Sequence, residues 1–95
     1  MRRAAKVDEN QNRVVKALRK IPGVSVAITS QLGKGFPDLV VGYKKSNYLI
    51  ELKDGEKFKS QQKLTDDEIE WHSKWKGHVI ICNSLDEILE VLITK

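Results

Sequence analysis

The chain has one cysteine, Cys82, and two histidines among its 95 residues. A single thiol excludes an intrachain disulfide, and one cysteine with two histidines is too few for a structural zinc site. Long apolar runs are missing too: none approaches the roughly 18 residues of a membrane-crossing helix. Met1-Arg2-Arg3 leads into polar residues and not into the apolar stretch of a secretory leader. From these absences an intracellular, cytoplasmic protein with no membrane partner is expected. Nor does any repeat, linker or low-complexity tract divide the sequence, so residues 1–95 are expected to form one domain.

What is present is an ordinary globular composition, 40% apolar and 32% charged, with room for one core. A domain this small buries only about 60–65% of its unfolded surface, which makes self-association a reasonable expectation. The charge is unevenly placed. Residues 1–63 carry 14 Lys and Arg against 6 Asp and Glu, a net of +8, while residues 64–95 carry 3 against 7, a net of −4, giving +4 in all. A basic portion of this kind suits a polyanion, because neutralising phosphates releases counterions, and equally suits a solvated lysine-rich surface.

Val7, Gln11, Val14, Val15, Leu18 and Ile21 share one helical face, so a helix is expected from about 7 to 20, stopped by Pro22-Gly23. Val24, Val26 and Ile28 alternate with Ser25, Ala27 and Thr29 as in a strand with one buried face. Residues 30–35, with two glycines and a lysine, read as a flexible loop. Residues 38–43 and 48–53 read as an antiparallel hairpin around Lys44-Lys45-Ser46-Asn47, and their apolar residues fall at both parities, predicting cover on both faces. Residues 54–63 are polar and lysine-rich, hence a loop. Thr65-Asp66-Asp67-Glu68 has the spacing of a capping box and opens a helix that carries Ile69, Trp71 and Trp75 up to Gly77. His78 to Cys82 forms a short strand, and Ser84-Leu85-Asp86-Glu87 opens a last helix with Leu85, Ile88, Leu89 and Leu92 on one face. The order α-β-β-β-α-β-α predicts an α/β (α+β) fold: one mixed four-stranded sheet with helices on both sides.

Three charges interrupt the apolar hairpin. In "GFPDLVVGYKKSNYLIELKDG" these are Asp38, Glu51 and Lys53. If facing positions sum to 89, Asp38 lies opposite Glu51; if they sum to 91, it lies opposite Lys53. Either register puts all three on one face, with cross-strand neighbours roughly 5 Å apart. Two such carboxylates suit magnesium, which favours phosphate substrates, and Lys53 beside them can orient a water or neutralise a phosphate. The competing reading is a buried ion network, yet two carboxylates against one lysine leave a surplus negative charge that is costly without a further cation.

Pro37-Asp38, a gap of twelve residues, and Glu51-Leu52-Lys53 resemble the PD-(D/E)xK nuclease superfamily. The words "GKGFPDLVVG", "LIELKDG", "KLTDDEIEWH" and "SLDEILEVL" are similar to the virus-type replication-repair nuclease (VRR-NUC) domain in its small stand-alone phage and bacterial form. The resemblance covers residues 8–92. It implies a restriction-endonuclease-like core and a Mg2+- or Mn2+-dependent DNA endonuclease, working as a homodimer on branched DNA such as Holliday junctions in a bacterial or phage-infected cell. Asp38, Glu51 and the carbonyl of Leu52 would be the metal ligands, with Lys53 catalytic.

Two positions depart from the family pattern. Members often carry a glutamate on the first helix, but here Glu9 points away from the apolar face whereas Gln11 falls between Val14 and Val15, so Gln11 is the better match. Gln11 can hold a metal-bound water or be a polar neighbour at the core edge, and Glu9 and Asn10 take the position if the helix starts late. Where the family has Gln before the tryptophan of the second helix, this chain has Glu68, which either completes the Thr65 capping box or faces the site and contacts Lys53. Trp71 and Trp75 are read as core ahead of base-stacking platforms, Cys82 as packing, and His72 is set aside as a general base because a metal and Lys53 already supply that chemistry. For DNA contact the candidates are Ser30 and Lys34 in the loop before Asp38, then Lys57, Lys59 and Lys63, all of which are otherwise solvated surface. The leading expectation is a structure-selective endonuclease. The alternatives are a non-catalytic DNA-binding module and a sequence-specific cleaver, which 95 residues hardly accommodate.

Overall fold

The computed structural model describes residues 9–53 and 63–94. Helix α1 (Glu9–Arg19) buries Gln11, Val14, Val15 and Leu18, which follow each other at i, i+3, i+4 and i+7. It tightens at its end, where Lys20 N–H bonds the Ala17 carbonyl and Ile21 N–H the Leu18 carbonyl. Pro22 and Gly23, the latter at φ 84°, then turn the chain into β1 (Val24–Ile28). Arg19 fastens the two elements by donating to the Val26 carbonyl at 2.9 Å.

A single 3-10 turn, Ser30–Leu32, follows where a flexible loop was expected. The hairpin is β2 (Leu39–Tyr43) and β3 (Ser46–Leu52), so its turn is two residues and not four. Lys44 and Lys45 adopt φ of 52° and 68°, the positive pair that matches the twist of a two-residue hairpin. Neither is the glycine or asparagine that usually marks such a turn, which is why Ser46 and Asn47 looked like loop. After α2 (Asp66–Lys74) comes β4 (Ile80–Cys82), shorter than the expected 78–82, and α3 (Leu85–Thr94). Ser84 Oγ accepts from Glu87 N–H at 3.3 Å, and the Glu87 carboxylate answers at Asn83 N–H, one residue earlier than a regular capping box.

The sheet order is β1-β2-β3-β4, antiparallel in its first two pairs and parallel between β3 and β4. This is the α+β mixed sheet with three helices that the element order predicts. One face presents Leu39, Val41, Ile50, Leu52 and Cys82 to Val14, Val15 and Leu18 of α1 and Ile88 and Leu92 of α3, and all are nearly inaccessible. Each fully buried leucine or isoleucine there contributes about 1.5–3 kcal/mol. Cys82 sits in this layer, and burial, with a lesser push from Glu87, raises its thiol to about 11, so it packs without reacting.

Asp38, Val40, Leu49, Glu51 and Ile81 point to the opposite face. There α2 meets Glu51 and Lys53, so helices do flank both sides. Cover by the described residues is nonetheless incomplete. The nine-residue α2 has no buried residue of its own, Val40 and Leu49 are only half-buried, and Ile81 is 47% exposed. Cover on both faces is thus present as expected, but on this side the described residues give it at the C-terminal end of β3, where Glu68 and His72 of α2 reach Lys53 and Glu51.

Candidate active site

The register decides how the three hairpin charges meet. Leu39 faces Ile50 and Val40 faces Leu49, the sum of 89, so one step further Asp38 faces Glu51. Asp38 lies just before β2 and Lys53 just after β3, so these two stand at strand ends and only Glu51 within a strand. The main chain of Asp38 is pinned by Thr29 N–H to its carbonyl at 2.8 Å, and Thr29 Oγ1 donates to the Pro37 carbonyl at 2.7 Å. Its side chain is pinned too, since Oδ2 accepts from the Leu52 N–H at 2.8 Å. Lys53 N–H bonds the Cys82 carbonyl at 2.9 Å, anchoring the lysine beside β4.

Glu51 is 1% exposed, and its Oε1 has no hydrogen-bond partner among the described residues. Lys53 Nζ lies 3.8 Å from the other oxygen, Oε2, and 2.8 Å from Glu68 Oε1. Burial and the neighbouring carboxylates of Asp38 and Glu68 push the Glu51 carboxyl from its ordinary 4.5 up to about 10. Asp38 is raised as well, by burial first, against the opposing pull of the Leu52 N–H. Burial also acts to raise Glu68, but Lys53 and the Thr65 N–H outweigh it and hold this carboxyl below its ordinary value. Three carboxyls thus share one ammonium, an arrangement that favours the protonated form of Glu51.

Both readings of Glu68 hold at once, through one oxygen. Thr65 Oγ1 accepts from Glu68 N–H at 3.2 Å, and Glu68 Oε1 accepts from both Thr65 N–H and Lys53 Nζ at 2.8 Å. The cap that starts α2 therefore also aims it at the site. One turn on, His72 Nε2 lies 3.7 Å from Glu51 Oε1 and has no hydrogen-bond partner among the described residues either. The sequence reading set His72 aside; the structure brings it to the buried carboxyl. The available signal was its spacing, because a residue four after Glu68 shares the face that Glu68 turns to Lys53.

The tryptophans are not core, contrary to expectation. Trp71 is half-buried and Trp75 43% exposed, and their rings stack at 4.6 Å, with Phe36 edge-on to Trp71 at 5.2 Å. Gly35 explains how the Phe36 loop comes so close: at φ 84° it lies where an added Cβ would collide with the Asp67 carbonyl. That glycine serves the docking of α2.

Gln11 is buried, as its helical phase predicts, and donates to Ser30 Oγ at 3.2 Å. Ser30 follows Thr29, so Gln11 reaches the segment that holds Asp38 without a recorded bond to either carboxylate. Asn10 accepts from Arg13 at 3.3 Å, and the Glu9 side chain lies outside the described residues, as do Lys57 and Lys59. Lys34, at φ 58° between Gly33 and Gly35, and Lys63 are exposed.

Compared with known proteins, the chain matches no family model, no curated protein and no solved structure. Among the described residues no three His, Cys, Asp or Glu side chains form a ready-made ligand set. The donors present still fit a divalent cation that keeps much of its water: two adjoining carboxyls, one with an orphaned buried oxygen, in a cluster with surplus negative charge.

Proposed function

We propose that this chain is a divalent-cation-dependent DNA endonuclease of the PD-(D/E)xK type, hydrolysing phosphodiester bonds in branched DNA. The observation that carries the reading is the placement of Asp38 and Glu51 side by side, with Lys53 next to them, on the less covered face of the sheet. A module that only binds DNA gains nothing from carboxylates that repel phosphate. Asp38, Glu51 and the Leu52 carbonyl would hold Mg2+ or Mn2+, with the Gln11 amide nearby. When bound, the ion supplies positive charge at the scissile phosphate and acidifies the attacking water.

The remaining work falls to side chains. Lys53, aimed by Glu68, neutralises charge that builds on the phosphate during cleavage, and the Leu52 N–H keeps the Asp38 carboxylate in place. Ser30, Lys34 and Lys63, with Lys57 and Lys59 of the adjoining segment, bind the phosphates flanking the cut and read backbone shape, not base edges. A two-fold homodimer sets two such sites for paired incisions, in the cytoplasm of a bacterial or phage-infected cell. The acidic portion, residues 64–95, suits a protein interface better than a DNA one.

Incubation of the protein with four-way, flap and linear DNA of identical sequence, with and without Mg2+, tests the proposal. Cation-dependent cutting of the branched forms, lost in Asp38→Asn, is expected. Binding without cutting under every cation condition would leave a DNA-binding module instead. Sedimentation at micromolar concentration tests the dimer, and an active monomer would remove it.

A further inference from the structure

Two buried polar atoms on the less covered face, Glu51 Oε1 and His72 Nε2, lack hydrogen-bond partners among the described residues and face each other at 3.7 Å. Leaving either unsatisfied costs about 1–3 kcal/mol, and a fold that leaves both at one spot points to something between them. The gap is too long for a hydrogen bond, yet shorter than two metal–ligand bonds of about 2.0–2.2 Å placed end to end.

Both side chains stand on anchored elements. Glu51 is held within β3, between β2 and β4. His72 rides on α2, whose position is set by the Glu68 contact with Lys53 and by Gly35 against Asp67, and its ring packs edge-on to its neighbour Trp71 at 5.6 Å. The side chain of His72 is 14% exposed, so its nitrogen is turned inward and not to water.

We propose that His72 supplies a nitrogen ligand, through Nε2, to the cation that Glu51 holds. This rests on the metal-dependent reading above and adds to it a selectivity. Imidazole suits transition ions, whereas magnesium takes oxygen ligands almost alone, so the site prefers Mn2+ to Mg2+. Asp38 and His72 do not close into a three-residue set with Glu51. The remaining positions fall to water, which phosphate oxygens of the substrate replace in part when DNA binds.

The test uses the full chain without DNA. Titration calorimetry gives affinities for Mn2+ and Mg2+, and pulsed electron paramagnetic resonance of the Mn2+ complex reports any directly bonded nitrogen. The wild type should bind Mn2+ at least about tenfold more tightly than Mg2+ and show a nitrogen coupling. His72→Phe keeps a ring against Trp71 and removes the nitrogens; it should lose the coupling and the Mn2+ preference while Mg2+ affinity stays nearly unchanged. His72→Gln, tested beside it, separates loss of the ligand from any loss of packing, with melting temperature as the control for both.

Mn2+ binding that Glu51→Gln abolishes, but without a nitrogen coupling in the wild type, overturns the ligand role of His72 and leaves the cation site standing. Equal weakening of both ions in His72→Phe likewise reduces His72 to packing. No binding of either ion by the wild type overturns the ligand role and the metal-dependent reading together.

Discussion

The two faces of the sheet are built on different principles. Under α1 and α3 the packed layer is apolar apart from Gln11 at its edge, and Leu18, Leu39, Val41, Ile50 and Ile88 are wholly buried. Under α2 the contacts are few and specific: Glu68 to Lys53, His72 towards Glu51, the Phe36, Trp71 and Trp75 rings, and the backbone approach at Gly35. Stability comes from the first face and candidate chemistry from the second. A buried carboxyl raised to about 10 is a burden on folding that the apolar face has to offset, so the arrangement makes sense where a ligand uses the carboxyl.

The comparison can be broken most forcefully on the apolar face. Leu39→Ala should cost about 2–5 kcal/mol in urea unfolding, because it opens a cavity in a fully packed layer. A loss below about 1 kcal/mol would mean that this layer does not carry the fold.

On the other face Gly35→Ala should cost about 1–3 kcal/mol, through the positive φ and the collision with Asp67. Here the location of the damage matters more than its size. Both tryptophans of the chain, Trp71 and Trp75, lie in or beside α2, so their fluorescence reports on this face while far-ultraviolet circular dichroism reports on the whole. The fluorescence transition should move ahead of the dichroism transition in Gly35→Ala and coincide with it in Leu39→Ala. Coincidence in both would show that the faces unfold as one.

Thr65→Ala is smaller, about 1 kcal/mol, since it removes the side-chain half of the capping box. It sharpens the comparison through Glu68, which would still bond Lys53 from a less firmly started helix. Cleavage should therefore fall by more than the modest loss of stability explains, and an unchanged rate would show that the cap and the site are independent.

Much of this was legible in the chain, for reasons that can be named. The phase of α1 was readable because Gln11, Val14, Val15 and Leu18 keep a helical period, and the capping box because its bonds span four residues of sequence. The hairpin was readable up to a choice of two registers, which the two-residue turn at Lys44-Lys45 settles. What failed was long-range or unmarked. A turn of two left-handed lysines has no glycine to announce it. Apolar residues at both parities of β2 and β3 predicted cover on both faces, and α2 is there, but how far a helix reaches across a sheet depends on packing and is not written in the strands. The approach of His72 to Glu51 joins residues far apart in sequence, and its one local signal, the four-residue spacing from Glu68, points to the site only once Glu68 is known to face Lys53.

One variant tests the division between the faces most directly. Below about pH 4.5 folded and unfolded chains both carry the Glu51 proton; between there and about 10 the unfolded chain releases it while the folded one keeps it. Stability of the cation-free protein should therefore fall as pH rises through that window, and the loss is complete above it. Glu51→Gln removes the titration and keeps the shape. At pH 8 in chelator, Glu51→Gln should melt at a higher temperature than the wild type, with a flatter dependence on pH, and in Mg2+ or Mn2+ the same variant should no longer cut branched DNA. A variant that melts lower at every pH, or that still cleaves, would contradict the account.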